Sequence, residues 1–561
     1  MSPSPSLTAP RLPPFPWRLS TRFAYASLLG AALVLTPLLA LAVTALSSPQ
    51  AAEIWPHLAA NVLPSALLQT VLLTAGVGLV AAVIGTGTAW LVTQFDFPGR
   101  RAFEWLLVLP LALPTYLTAY VYVEFLGFQG PLQTALRAAT GWRSLRDYWF
   151  PDPRNLPGAV AIMAIVLYPY VYLSTRALFS LQGATIVEAA RNLGATPGRL
   201  FWRIGLPLAR PALAAGLTLV LLETLNDIGA TEYLGVRTLT LSIYTTWLNR
   251  GSLPGATQIA CVMLLVVFLL IWAEARLRGQ RRFALPVRQP RPVGRRPLRG
   301  NHAVMATLAC ALPVLFGAAL PIGHLAGTVL QRGLMTQFDA ALLRLLGNAV
   351  LLAAIASGLV LVLGLSIAAA SRAGREAWLK PLARIASLGY ALPGTVLALG
   401  LLIPVAAFDN ALANAIHALF GLRPGLVLIG SGAALVIAYA VRFLTIGISG
   451  MESGLSRISP RIDDAARSLG ADQPEILRRI HWPLARPAVA AAALLVFVDC
   501  LKELPATLLL RPLNLDTLAT AVYGQASRGV FEEGALAALL IVLAGLYPAV
   551  ILARTGSNRV G

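Results

Sequence analysis

Acids interrupt two apolar stretches of this chain. LVLLETLNDIGATEYLG (219–235) carries Glu223 and Asp227, and LVFVDCLKELPATLLL (495–510) carries Asp499, Lys502 and Glu503. A shift of 276 residues lays Glu223 on Asp499 and Asp227 on Glu503, and Ala230 and Thr231 on Ala506 and Thr507. A charge inside an apolar helix is costly and usually faces a bundle interior or a water-filled path. Carboxylate oxygens also suit hard cations, a trivalent one included. The four acids are therefore candidates for a translocation pathway, although their spacing fixes no certain metal site. The competing reading is structural: Lys502 pairs with Asp499 at i,i+3, and Asp227 caps a broken helix.

The same shift of 276 residues duplicates a polar stretch. EAARNLGATPGRLFWRIGLPLARP (188–211) returns without a gap as DAARSLGADQPEILRRIHWPLARP (464–487). Glu188, Ala189 and Ala190, and then Asp464, Ala465 and Ala466, place an acid and two small side chains at the start of a helix. Negative charge suits the helix dipole there, and small residues let another surface approach. Gly194 and Gly470 permit the left-handed turn that ends such a helix. Pro207 and Pro483 are expected to break the chain before the next apolar run. A plain connection does not explain the repeated wording. A short helix, a bend and a second helix, presented twice, suit a partner with two equivalent sockets.

Composition restricts the elements that can position these residues. Of 561 residues, 57% are hydrophobic and 12% charged, against roughly 25% charged in soluble domains. Lipid must serve as part of the solvent, and the chain reads as an all-α polytopic membrane protein. Runs long enough to span lie at about 24–46, 64–93, 102–127, 158–181, 208–231 and 256–276, then at about 303–325, 346–371, 383–407, 425–449, 485–509 and 534–553. The first follows Arg18 and Arg22 but exceeds the apolar core of a signal peptide, so it reads as a retained span. An even number per half predicts two parallel six-helix repeats. LPLALPTYLTA (109–119) and LGYALPGTVLA (388–398) extend the repeat. The expected units are a first half (1–275, polar loop about 182–207), a basic Pro-rich linker (276–300) and a second half (301–561, polar loop about 456–483).

The net charge is +20, carried almost wholly by Arg; the lysines are Lys380 and Lys502. In a soluble protein this balance would suggest nucleic acid. In a membrane protein it reads as cytoplasmic loops, so no nucleic-acid partner is expected. Gap 47–61 has no Arg, whereas the linker and both polar loops are rich in it. Both termini are therefore placed in the cytoplasm. The gap 128–157, with Arg137, Arg143, Arg146 and Arg154, departs from this pattern. Cys261, Cys310 and Cys500 sit in apolar runs without metal spacing.

The pattern E-A-A, three residues, G, nine residues, I-x-L-P resembles the cytoplasmic loop of inner-membrane permeases of binding-protein-dependent ABC importers. Glu188, Ala189, Ala190, Gly194, Ile204, Leu206 and Pro207 fill it; the second copy departs at Asp464 and Trp482. The resemblance implies that each loop carries a coupling helix resting on an ATP-binding subunit. It further implies a dimer of such ATPases at the cytoplasmic face, a substrate-binding protein at the outer face and a bacterial inner-membrane location. Neither lysine follows a glycine, so no P-loop is available and the chain itself binds no ATP. The fused double-length form, with ETLNDIGATEYLGVRTLTLSIYTTW and KELPATLLLRPLNLDTLATAVY, resembles ferric-iron permeases. Thiamine permeases share the fused plan and remain an alternative. So does a six-plus-six secondary transporter, whose D-x-x-G-R-R loop DFPGRR (96–101) echoes.

Overall fold

The computed structural model describes residues 17–181, 189–190, 192–278, 294–373, 378–422, 425–456 and 458–557. Glu188 and most of the expected linker lie outside them. Among the described residues, eleven helices are long and apolar enough to cross a membrane, and a pair bent by 91°, Arg100–Ala112 and Thr115–Thr140, makes twelve if it is counted as one broken span. Each of the twelve expected runs overlaps one of these helices or the bent pair, and the spans follow one another in the same order in both halves. One small departure from an all-α chain occurs where Phe95–Asp96 pairs in parallel with Arg296–Pro297. Leu298 N–H adds a bond to Asp96 O at 2.9 Å, so the end of the linker is tied to the first half.

Proline dictates where spans three and nine break. The residue before a proline is disfavoured in the α region. Leu113 (φ −95°, ψ 124°) and Leu392 (φ −77°, ψ 121°) are extended accordingly, before Pro114 and Pro393. New helices then start at Thr115 and Gly394. Spans five and eleven break at matching places. Leu206–Asn226 is followed by the short helix Gly229–Tyr233, and Trp482–Leu501 by Pro505–Leu510. Broken helices are tolerated at membrane depth only where protein or a cavity covers the freed backbone.

Pro207 and Pro483 do not break the chain as expected. The first stays helical from Pro197 to Asn226, and each proline is preceded by a π-turn, Phe201–Gly205 or Leu477–His481. Further π-turns, Leu58–Val62 and Leu315–Ala319, precede Pro64 and Pro321. Proline lacks an N–H and its ring clashes with the carbonyl four residues back. The preceding residue therefore bonds five residues back instead, Leu63 to Leu58, Leu206 to Phe201 and Leu320 to Leu315. The helix widens by one residue rather than stopping.

Small residues let the spans close on one another, as expected where lipid removes the hydrophobic drive between helices. A Cβ on Gly85 would lie 2.8 Å from Tyr168 O, and one on Gly447 3.0 Å from Val360 O. These contacts lock the second span of each half, Leu63–Gln94 and Ala340–Ala373, against the fourth, Leu156–Leu181 and Ala433–Ser456.

Candidate translocation site and docking loops

All four candidate acids line one small cavity of about 80 Å³ where broken spans three, five and eleven meet. Span nine reaches it through Gly394 N–H, which donates to Asn226 Oδ1 at 2.6 Å. Asp227 and Glu503 do the same job in each half. Asp227 accepts from Ala230 N at 2.8 Å and from the Thr115 hydroxyl. Glu503 accepts from Ala506 N at 2.9 Å, Thr507 N at 3.0 Å and Thr507 Oγ1 at 2.7 Å. Both are buried and both cap the short helix that follows. The free N–H groups at a helix start favour an anion, and bonds to a charged acceptor are worth about 1.5–3 kcal/mol each. The structural reading thus accounts for this pair.

Glu223 and Asp499 sit differently. Glu223 Oε1 accepts from Tyr390 Oη at 2.6 Å, reaching across to the other half. Asp499 Oδ1 lies 2.9 Å from Lys502 Nζ, the i,i+3 pair expected from the sequence. A larger cavity of about 580 Å³ shares Tyr170, Asp499 and Lys502 with the small one and runs between Ser453 and Ala488 toward the duplicated loops. Among the described residues no three His, Cys, Asp or Glu side chains are grouped so as to hold a metal ion. The acids line a small cavity, and among the described residues they are not grouped as a chelate.

Arg442 went unnoticed in the sequence. It is buried, and its Nη1 donates to Asn226 Oδ1 at 2.7 Å while its Nε has no hydrogen-bond partner among the described residues. The signal was available: Arg442 is a lone base inside the apolar run IAYAVRFLTIG, the kind of intramembrane charge that marks a site. Tyr390 and Asn226 carry no such signal, since polar uncharged residues are ordinary in spans.

The duplicated loops adopt one geometry. Gly194 has φ +78° and Gly470 φ +86°. Ala195 N bonds Ala190 O and Ala471 N bonds Ala466 O, both at 3.0 Å, the long-reach bond that closes a helix over a left-handed glycine. Ala190 and Ala466 face inward, Ala189 and Ala465 outward. Leu193 and Leu469, one residue before the glycines, are 88% and 89% exposed. The acid placement needs correction. In the second loop the helix begins at Pro460 under a Ser459 cap, so Asp463 lies in the first turn and Asp464 sits mid-helix, 3.2 Å from Arg467. Glu188 of the first loop lies outside the described residues.

The loops are fastened by different chemistry. In the first half, Trp90 packs edge-on against Phe179 and Phe201 at 5.2 and 5.3 Å, over Gly205, whose Cβ would meet the Trp90 ring at 2.7 Å. In the second half His481 occupies the position of Gly205. Its Nε2 lies 2.7 Å from Asp463 Oδ1, and Arg372 Nη2 lies 3.1 Å from Asp463 Oδ2. Arg372 also donates to the carbonyls of Leu455 and Ile458. Burial pushes the Asp463 carboxyl upward, but the bonds and charges of His481 and Arg372 outweigh it and hold its pKa below the usual value. That stabilisation is complete above the unfolded pKa of about 3.9 and is lost as pH falls through the depressed folded value. On acidification to about pH 3, amide protection, measured against the intrinsic exchange rate at the same pH, should fall in 458–470 but not in 192–200. An equal fall in both loops would count against the ionic clasp.

Matches to known proteins agree with this architecture. The model of the binding-protein-dependent transport system inner membrane component matches twice, over residues 78–282 and 360–560. An Fe(3+)-transport system permease protein, FbpB 2 of Haemophilus influenzae, is 25% identical over 496 residues, covering 87% of this chain and 89% of that one. A probable ABC transporter permease protein, y4fN of Sinorhizobium fredii, is 27% identical, with 85% of each chain covered. The sulfate transport system permease protein CysW of Escherichia coli K12 is 30% identical over 231 residues, 39% of this chain and 76% of its own. With both of its halves matched in turn, and the breaks, caps and loops repeated between them, the chain belongs to the family of binding-protein-dependent transport system inner membrane components.

Proposed function

We propose that this chain is a two-half permease of an ABC importer, moving ferric iron from a binding protein at the outer face to the cytoplasm. A separate ATPase dimer supplies the energy by docking on the loops around Gly194 and Gly470. The observation that carries the coupling reading is the matched pair of exposed leucines, Leu193 and Leu469, each beside a left-handed glycine. Large apolar side chains exposed at equivalent points suit two equivalent partner sockets. The membrane orientation, with loops and termini inside, rests on the Arg distribution. Cysteines placed at Ser48 and Gln289 in a cysteine-free background should label from outside at Ser48 alone.

The cargo reading rests on a relative covering most of the chain whose name specifies Fe(3+), and on four carboxylates against Arg442 and Lys502 at the constriction. Oxygen donors favour a hard cation over an oxyanion. Sulfate is the rival cargo, because a sulfate permease also matches. Membrane vesicles containing the chain, its ATPase and its binding protein should accumulate radiolabelled ferric ion on addition of ATP, and neither sulfate nor thiamine. Sulfate or thiamine uptake without ferric uptake would overturn the assignment.

A further inference from the structure

A third cavity, of about 410 Å³, lies on the far side of the constriction from the duplicated loops. It is lined by Tyr120, Arg154, Glu232, Tyr233 and Tyr523, and shares Gly229 with the central cavity. Tyr523 Oη donates to Glu232 Oε2 at 2.6 Å and lies 3.3 Å from Tyr244 Oη. Arg154 sits over the ring of Tyr233 at 5.2 Å. We propose that Glu232, Tyr523 and Tyr244 form the site that receives a ferric ion before it enters the constriction. The proposal rests on the ferric reading above and adds to it a place and a ligand set.

Geometry and charge both support it. A hard cation with octahedral oxygen ligands at about 2.0 Å has neighbouring ligands about 2.8 Å apart. The observed separations of 2.6 and 3.3 Å bracket that edge, so Tyr523 Oη can share an octahedral edge with each of the other two oxygens after small shifts. Glu232 enters as a carboxylate. Each phenol that binds as phenolate releases one proton to water, and no electron is transferred. One carboxylate and two phenolates neutralise a trivalent ion, which limits the cost of holding it at the edge of a membrane. The remaining corners are open to water or to a donor still attached to the binding protein.

Position in the chain fits a receiving role. Glu232 lies on the short helix Gly229–Tyr233, whose start is capped by Asp227 in the central cavity. One helical turn therefore joins the receiving carboxylate to the constriction. The site is also single. With the shift of 276, Glu232 falls on Leu508 and Tyr244 on Thr520, so the second half holds no copy. Tyr523 comes from the second half, so the site exists only where the halves meet.

The alternative is that Tyr523 and Glu232 merely clasp the halves together. Titrating the purified full chain with ferric citrate separates the two, because iron–phenolate bonds give a visible charge-transfer band that a clasp does not. The band is expected in the wild-type chain, at least halved in Tyr523→Phe and in Tyr244→Phe, lost when both are replaced, and at least ten times harder to saturate in Glu232→Gln. Ferric uptake is measured alongside. Uptake without a band in the wild-type chain overturns the site and leaves the importer reading intact. Absence of both overturns site and cargo together, and a full band in Tyr523→Phe overturns the ligand assignment.

Discussion

Gly194→Val and Gly470→Val should each reduce ATP-driven uptake by about tenfold or more while leaving the chain in the membrane. Both glycines hold φ near +80°, at +78° and +86°, and a Cβ at either would meet nothing within 4 Å. The penalty is therefore purely one of backbone conformation. An L-residue in the left-handed region costs about 1–2 kcal/mol, and a β-branched one fits it worst. The chain can escape the strain only by rotating out of the turn. That breaks the bonds from Ala195 to Ala190 and from Ala471 to Ala466 and re-aims the helix below the exposed leucine. Asn tolerates the left-handed region, so Gly194→Asn and Gly470→Asn should retain most uptake. Uptake into vesicles, normalised to the amount of chain by immunoblot, tests the pattern. Normal transport by both Val variants would refute the docking role.

The second large effect concerns the acids that are free of capping duty. Glu223→Gln keeps an acceptor for Tyr390 Oη but removes the charge from the constriction. Asp499→Asn alone would leave the half-buried Lys502 without its partner at 2.9 Å, an uncompensated charge that destabilises the chain. The informative variant therefore combines Glu223→Gln and Asp499→Asn with Lys502→Met. On the pathway reading it assembles, hydrolyses ATP in response to loaded binding protein, and loses ferric uptake by at least about tenfold, one 1.4 kcal/mol step in barrier. On the structural reading it loses thermal stability first. By contrast Asp227→Asn and Glu503→Gln should destabilise the chain itself, since each carboxylate holds backbone amides at the start of a short helix. Full uptake by a well-assembled triple variant would eliminate a pathway role for Glu223 and Asp499.

Much of the fold was legible because its determinants are local. Span length, the glycines at 194 and 470, and the gap-free repeat follow from residue type and spacing alone. The proline effects were legible only in part. Pro114 and Pro393 interrupt spans as proline should, because the residues before them are driven extended. Pro207 and Pro483 do not, because a widened turn absorbs the missing N–H, and sequence does not say which solution a helix will take. The acids were legible as paired positions, but which of them also hold the backbone amides of a short helix depends on where the helices stop. Tyr390 and Tyr523 could not be found at all from sequence: each meets its carboxylate across the two halves, 167 and 291 residues away.

The unlike fastening of the two loops has an evolutionary meaning. In a permease assembled from two copies of one chain, any mutation appears at both loops, so neither can specialise without the other. Fusion removes that constraint, since each codon here specifies one loop only. The aromatic seat around Trp90 and Gly205, and the ionic seat around Arg372, Asp463 and His481, are what such freedom allows an ancestral duplicate to become. One loop is held by contacts that acid leaves untouched, the other by charges that acid dissolves. A fall in pH around the loops therefore loosens one of them and leaves the other as it was.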